Sequence, residues 1–298
     1  MKEPLSIAVV GDVHDRWEEQ DNLALEYLGV DLALFVGDFG NESIDIVRTI
    51  ANSNLTKAVI LGNHDAWYTA SPWGRKKAPY DRSKEDRVQQ QLDILGASHV
   101  GYGKLDFPQY NLSIVGGRPF SWGGSDWKNT EFYDGLYGVS NFAESTSKIL
   151  SVVRDTSCDN IIFIGHNGPS GLGEDPEDTC GKDWGELGGD HGDPDFAEAI
   201  EKTIGYGKSI PLVTFGHMHH SLRHRKDRLR TIINRNSEGT IYFNAASVPR
   251  IKETNRERIR NFSLVTLQNN VVKNINLSWF NDDFEEVSQQ VLYEAEKK

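Results

Sequence analysis

A chain of 298 residues is long enough for one large core or two modest ones, and no apolar run approaches the roughly 18 residues needed to cross a bilayer, which argues against a membrane partner. The 32 basic and 44 acidic side chains leave a net charge of −12, which favours solubility and argues against sequence-independent binding of duplex nucleic acid. Cys158 and Cys180 are the only cysteines; they form neither a disulfide framework nor a zinc pattern and fit a reducing compartment.

The opening stretch MKEPLSIAVVGD carries one lysine before a brief apolar run and shows no small-residue cleavage site, so a cytoplasmic location is expected. From there, short Val-, Ile- and Phe-rich runs alternate with segments of helical period, the pattern of βα units on a sheet. SIAVVGD, LALFVGD and KAVILGN read as three buried strands, with EEQDNLALEYLG and ESIDIVRTIANS as the intervening helices. Residues 66–91, aromatic, basic and proline-containing, read as a loop or small cap that turns helical.

NLSIVGG, NIIFIGH and PLVTFGH again end in glycine plus a functional residue. Between the last two lies a Gly- and Asp-rich insertion, 167–195, too long for an ordinary connection and therefore functional or mobile. Asp193-Pro194 supplies a helix start. TIYFNAAS and the stretch NFSLVTLQNNVVKNINLSWF predict later antiparallel strands, and residues 281–298 a charged helical tail. The order implies an α/β fold built from two packed mixed sheets.

Ligands of open α/β sheets bind outside the carboxyl ends of the strands, and that is where the polar residues fall. Taken singly each has a local explanation: Asp12 can cap a turn, Asn63 can hold a left-handed position, His14 can be a surface residue. Jointly, Asp12 with His14, Asp38, Asn63 with His64 and Asp65, His166, and His217 with His219 occupy five strand ends in order. Side chains two apart in extended chain point the same way, so Asp12 with His14, and His217 with His219, can each grip from one face.

The pooled donors, two carboxylates, one amide oxygen and four imidazoles, are too nitrogen-rich for Ca²⁺ or Mg²⁺ and lack the thiolates of structural zinc sites. They suit Mn, Fe, Zn or Co in pairs. Two divalent ions facing two carboxylates leave positive charge that attracts an anionic phosphate despite the acidic chain.

The motifs GDVH, GDFG, GNHD, GHNG and GHMH resemble the signature of the calcineurin-like metallophosphoesterases, over about residues 7–250. The resemblance implies a four-layer αββα sandwich of two mixed β-sheets flanked by helices, a single domain over 1–280, and a centre of two divalent or trivalent transition metal ions, Mn, Fe or Zn. Asp12, His14, Asp38 and His219 would bind one ion; Asp38, Asn63, His166 and His217 would bind the other, with Asp38 shared. In that family a hydroxide bridging the ions attacks phosphorus in line and a histidine, here His64, protonates the leaving oxygen. The substrate implied is a small phosphomonoester or phosphodiester. FNAASVPR resembles the strand that follows the last histidines in the family and is expected to give structural support.

The Ser/Thr protein phosphatases carry GDxVDRG, whose second Asp orients the acid and whose Arg binds phosphate. Here Asn41 stands at that Asp position and no Arg follows, which weakens that branch. Asn41 can still hydrogen-bond His64, with Asp65 as the other candidate orienter. Phosphate clamping then falls to Arg118 or Arg16, unless these are plain surface arginines.

Three further features carry alternatives. RHRKDRLR, 223–230, reads as a solvated hairpin tip rather than a nucleic-acid patch. Trp67, Tyr68, Trp73, Trp122 and Trp127 either stack a ring near the site or pack a cap. His191 with Cys180 matches no zinc spacing, and His99 and His224 read as packing or surface residues. A single-strand nuclease or nucleotide phosphodiesterase using the aromatic stretch as a platform, and a non-catalytic scaffold, are the competing functions.

Overall fold

The computed structural model of the chain describes residues 3–253 and 257–296; the outermost positions of the expected domain and tail, 1–2 and 297–298, lie outside them. In chain order the elements are β1 (Leu5–Val10), α1 (Glu19–Tyr27), β2 (Leu32–Phe35), α2 (Ile44–Ala51), β3 (Lys57–Val59), α3 (Pro72–Arg75), α4 (Arg87–Leu95), β4 (Lys104–Phe107), β5 (Leu112–Gly116), α5 (Thr130–Tyr137), α6 (Phe142–Arg154), β6 (Asn160–Ile164), α7 (Pro194–Gly205), β7 (Ser209–Phe215), β8 (Ile233–Arg235), β9 (Ile241–Asn244), β10 (Ile251–Glu253), β11 (Arg258–Gln268), β12 (Val271–Phe280) and β13 (Glu286–Glu294).

Two mixed sheets result. A seven-stranded sheet runs β13-β12-β11-β1-β2-β3, with β10 also on β11, and a six-stranded sheet runs β4-β5-β6-β7-β9-β8. Within them β1, β2 and β3 pair in parallel, as do β5, β6, β7 and β9. Parallel strands covered on both faces read as continuous apolar runs rather than alternating ones, which is why the sequence shows them so plainly.

The period of two sorts these runs between layers. Ile7, Val9, Leu32 and Leu34 of the first sheet meet Ile114, Ile162, Ile164 and Leu212 of the second in one core between the sheets. Ala8, Val10, Ala33 and Phe35 face outward to Leu25, Val47, Ile50 and Leu95 of α1, α2 and α4. Ile161, Phe163 and Val213 face the other way to Ile149, Val153, Phe196 and Ala199 of α6 and α7. The architecture is thus the αββα sandwich. Each fully buried aliphatic or aromatic side chain in these layers is worth roughly 1.5–3 kcal/mol of burial.

Helix starts follow local chemistry. Asp86 accepts from the Gln89 amide at the head of α4, and Asn141 from that of Glu144 at the head of α6, each satisfying an otherwise unpaired donor. Asp193-Pro194 does open α7, but the Asp193 side chain makes no cap bond; it is drawn to Arg118 and Ser121 instead.

Two expectations are corrected. Within the stretch predicted as a helical tail, Glu286–Glu294 is a strand, β13, paired antiparallel with β12. The free edge of β12 offers backbone partners and the core takes Leu292 and Tyr293, so tertiary pairing overrides local preference. β9, expected antiparallel, pairs antiparallel only with β8 and runs parallel to β7. Among the described residues no helix is long and apolar enough to cross a membrane.

Candidate metal centre

The loops after β1, β2, β3, β6 and β7 gather at one end of the seam between the sheets and are stitched together by backbone bonds. The Asp12 amide donates to the Gly37 carbonyl at 3.1 Å, His14 to Asp38 at 2.8 Å, and Gly216 to His166 at 2.8 Å. Asp65, fully buried, accepts from the amides of Asp38, Phe39 and Gly62 at 3.0, 2.9 and 2.7 Å. Burial, and then the charge of Asp38, push its carboxyl well above the usual carboxylate range. Asp65 is therefore a strut between two loops and not an orienter of His64, because its carboxylate oxygens are occupied by backbone.

The chain does not reach the centre in extended form. Asp12, His14, Asp38 and His217 hold left-handed backbone, with φ of 52°, 46°, 56° and 66°. The alternation argued from an extended chain is thus replaced by tight bends, which turn residues out of the strand ends. The convergence itself is present. Asp12, His14 and His219 place ligand atoms within 4.8 Å of one another; so do Asp38, His166 and His217, and so do His14, Asp38 and His64. Asp38 stands in two of these groups, and Asn63 Oδ1 lies 2.9 Å from His166 Nε2.

The donor atoms suit a cation. His166 Nδ1 lies 2.8 Å from the Val36 carbonyl, which fixes the proton there and leaves a lone pair on Nε2. That lone pair faces Asn63 Oδ1 at 2.9 Å, His217 Nδ1 at 3.2 Å and an Asp38 carboxylate oxygen at 3.2 Å. His14 and His219 point their Nε2 atoms at each other, 3.1 Å apart, with Asp12 3.4 Å from His219. Electron pairs converging in buried surroundings are stabilised by a positive ion between them. The residues fit the two-ion centre implied by the motifs.

The charges around it are tuned accordingly. Burial drives His217 well below the usual imidazole range, reinforced by the charge of His166. Burial also pulls on His219, but its hydrogen bond to Asp12 and that carboxylate's charge carry it above the ordinary value. Asp12 is pushed up by burial and pulled further down by the bond to His219 and the surrounding imidazoles, ending below the usual carboxylate range. Three further bonds fix the frame: the His217 amide donates to both Asp12 oxygens at 3.1 and 3.0 Å, and the His64 amide to Asp38 Oδ1 at 2.9 Å.

His64 sits at the margin. Its Nδ1 is 2.6 Å from Asn41 Oδ1, its Nε2 lies 3.9 Å from Asp38, and its ring stacks on Trp67 at 4.4 Å between centroids. Burial lowers its basicity below the ordinary histidine value. Of the two candidate orienters, the structure brings Asn41 to it. His220 is turned away, buried, with Nε2 donating to the Asn244 carbonyl at 2.9 Å. Asn244 in turn donates to the Met218 carbonyl at 2.6 Å, so FNAASVPR braces the loop that carries His217 and His219.

The candidate phosphate arginines fare differently. Arg118 is buried and spent on Asp193 at 2.8 Å and Asp195 at 2.9 Å, with its guanidinium over Trp127; it is a structural hub and cannot clamp a substrate. Arg16 is exposed, donates to the Ile251 carbonyl at 3.1 Å, and lines a groove on the His14 side.

The basic run also departs from a solvated tip. His224, Arg225 and Arg228 gather on Glu177 at 3.1, 2.9 and 3.0 Å, while Arg230 is buried against Asp183 at 3.0 Å. The acidic insertion supplies partners that the run's sequence alone does not reveal. Trp127 packs against Tyr133 and Phe142, whereas Trp67 and Trp122 stack on each other at 5.2 Å beside the centre. His191 Nε2 donates to the Trp122 carbonyl, and the ring lies parallel to that of His217 at 6.1 Å.

A cleft of about 300 Å³ opens there, bordered by His64, His217 and His219 and also by Lys128, Trp184 and Arg223. Sequence reasoning missed these last three. Arg223 was legible only as one cation in a basic run, and Lys128 and Trp184 carry no local signal.

Comparison with known proteins bears on the family and the fold. The profile described as calcineurin-like phosphoesterase matches residues 5–221. Among solved structures, a dimetal phosphatase from Danio rerio aligns over 98% of this chain and 100% of that chain, at 11% identity and a TM-score of 0.52. A purple acid phosphatase from yellow lupin seeds aligns over 98% of this chain and 54% of that chain, at 12% identity and a TM-score of 0.47. At 11% identity the likeness to the Danio rerio phosphatase is one of fold alone. No curated protein matches the chain significantly. With a profile match over well more than half its length, a span that includes the strand-end residues converging at the seam, the chain belongs to the calcineurin-like phosphoesterase family.

Proposed function

We propose that the protein is a metal-dependent phosphoesterase that hydrolyses a small phosphomonoester or phosphodiester. The observation that carries this reading is the gathering of carboxylate, amide and imidazole donors around Asp38, with His64 held beside them by Asn41. Asp12, His14, Asp38 and His219 would hold one ion, and Asp38, Asn63, His166 and His217 the other, with Mn, Fe or Zn suiting the donor set. Such ions, when bound, supply Lewis acidity towards phosphoryl oxygens and acidify water.

The chain's own residues do the rest. Asn41 accepts from Nδ1 of His64 and so leaves Nε2 as the atom that exchanges a proton with the leaving alcohol oxygen. Burial of the ring makes its protonated form a stronger acid. Asp65 and the His217 amide keep the loops in register, so the reacting groups need little rearrangement.

Two buried free thiols, Cys158 and Cys180, support a cytoplasmic location. Most of the basic run is committed to Glu177 and Asp183, which weakens the extended phosphate guide that a single-strand nuclease would use.

The test is turnover of p-nitrophenyl phosphate and bis-p-nitrophenyl phosphate by protein reconstituted with Mn, Fe or Zn, with Asp38→Asn and His64→Gln as controls. Hydrolysis of either ester that both variants abolish or cripple supports the reading and separates monoester from diester chemistry. Two ions per chain by elemental analysis with no turnover would sink it and favour a scaffold.

A further inference from the structure

The cleft beside the centre has a lining that metal binding does not explain. Its volume of about 300 Å³ is at the small end of ligand pockets, room for one compact organic group. Trp67 stacks with both His64 and Trp122. Trp184 meets the edge of His191 at 4.8 Å, and His191 lies parallel to His217. Flat aromatic surface therefore runs from the candidate proton donor round to a candidate ligand.

Two cations stand in that lining. Lys128 donates to the Gly123 carbonyl at 3.1 Å, and Arg223 lies over the Trp184 ring at 5.1 Å. Neither makes an ion pair among the described residues, whereas Arg118, Arg225, Arg228 and Arg230 nearby all do. Asp183, the carboxylate of the cleft, is already taken by Arg230 at 3.0 Å and by the Arg223 amide at 2.6 Å. In a chain of net charge −12, two positive side chains that make no ion pair among the described residues, beside aromatic walls, mark a place for an anion. They are additional to the positive centre that would hold the phosphate under attack.

Resting on the phosphoesterase reading, the geometry points to a substrate whose organic half enters this cleft with an aromatic ring against the indoles and a second anionic group on Lys128 and Arg223, the chemistry of a nucleotide carrying more than one phosphate. Indole faces and edges favour a flat ring, and the cations favour a phosphate through charge-assisted hydrogen bonds. The small volume suits a single nucleotide and not a strand.

The experiment is calorimetric titration of the full chain with ADP, AMP, adenosine and pyrophosphate, in chelator so that no turnover intervenes. It is run on the wild type, Lys128→Ala, Arg223→Ala and Trp184→Ala. ADP is expected to bind about tenfold more tightly than either adenosine or pyrophosphate, and each cation variant to lose about tenfold for ADP while leaving adenosine unchanged. Trp184→Ala should weaken ADP and adenosine together and spare pyrophosphate. Equal affinity for ADP and pyrophosphate would remove the ring from the proposal, equal affinity for ADP and adenosine would remove the anion, and no binding of any probe would remove both. Because Lys128 and Arg223 are exposed, their variants are expected to fold, which matched thermal midpoints would verify. ADP binding with no turnover of p-nitrophenyl phosphate by the loaded enzyme would keep the ligand class and sink the phosphoesterase reading. Turnover without selectivity among the probes would do the reverse.

Discussion

Arg230 donates from Nε to the carbonyl oxygen of His219 at 3.0 Å, while its other nitrogens reach the Asp178 and Gly181 carbonyls at 2.7 Å and the Asp183 carboxylate at 3.0 Å. One buried guanidinium thus ties the Gly- and Asp-rich insertion to the backbone of a candidate metal ligand. Arg230→Ala removes a donor from four carbonyls, those of Pro176, Asp178, Gly181 and His219, and the counter-charge of Asp183, which keeps only the Arg223 amide; breaking such a buried pair costs about 3–5 kcal/mol. We expect a lower denaturant midpoint and fewer ions bound per chain. Arg230→Lys should fall between, since it keeps the charge and loses the fork; unchanged metal content in both variants would show that the insertion does not position His219.

The three neighbouring histidines of 217–220 should separate cleanly. His217→Ala and His219→Ala are each expected to lose roughly one of two ions, as removal of a direct ligand does, while His220→Gln keeps nearly both because its ring faces Asn244. Elemental analysis of dialysed protein decides this, and equal losses at all three positions would contradict the geometry.

The contact between Asn41 and His64 can be read in a pH profile. Burial holds His64 below its ordinary value, so the protonated acid is lost early as pH rises. Asn41→Asp places a negative charge beside Nδ1 and should raise that value, because a neighbouring carboxylate favours the protonated ring. The basic limb of kcat against pH is then expected to move to higher pH, with KM little changed. A limb that stays in place would remove His64 as the proton donor.

His220 gives a stability prediction with a definite sign. Burial lowers it from 6.5 to about 4 in the folded chain, so between those values the unfolded state binds the extra proton and the folded state does not. Stability is therefore undiminished above pH 6.5 and declines as pH falls towards 4, by at most about 3 kcal/mol. Urea melts across this range should show a shallower slope in His220→Gln, and an identical slope would mean that the ring is protonated in place.

Much of this molecule was legible because parallel strands buried on both faces leave apolar runs that periodicity finds, and because each run stops at glycine and a ligand-type residue. The seven candidate metal-binding residues stood out in that way, whereas Asn41 was marked only by its place in a motif that resembles that of the protein phosphatases. What escaped depends on partners distant in sequence. Arg118 looked free until Asp193 and Asp195, more than seventy positions later, proved to enclose it. The final strand looked helical because its pairing edge belongs to β12. Lys128, Trp184 and Arg223 meet only when the insertion folds back on the 223–230 run, and no local pattern announces that.

The left-handed bends at the seam have a cost of their own. At Asp12 and Asp38 the carboxylates accept backbone amides, which offsets the strain. At His14 and His217, with φ of 46° and 66°, no such return is present, and a β-carbon there costs about 1 kcal/mol that glycine would not. Glycine would relieve the bend at either position, but it would loosen the unfolded chain by a similar amount and remove the ring contacts of His14 with His64 and His219 and of His217 with His166 and His191. The backbone strain is thus the accompaniment of side chains that hold five loops at one point.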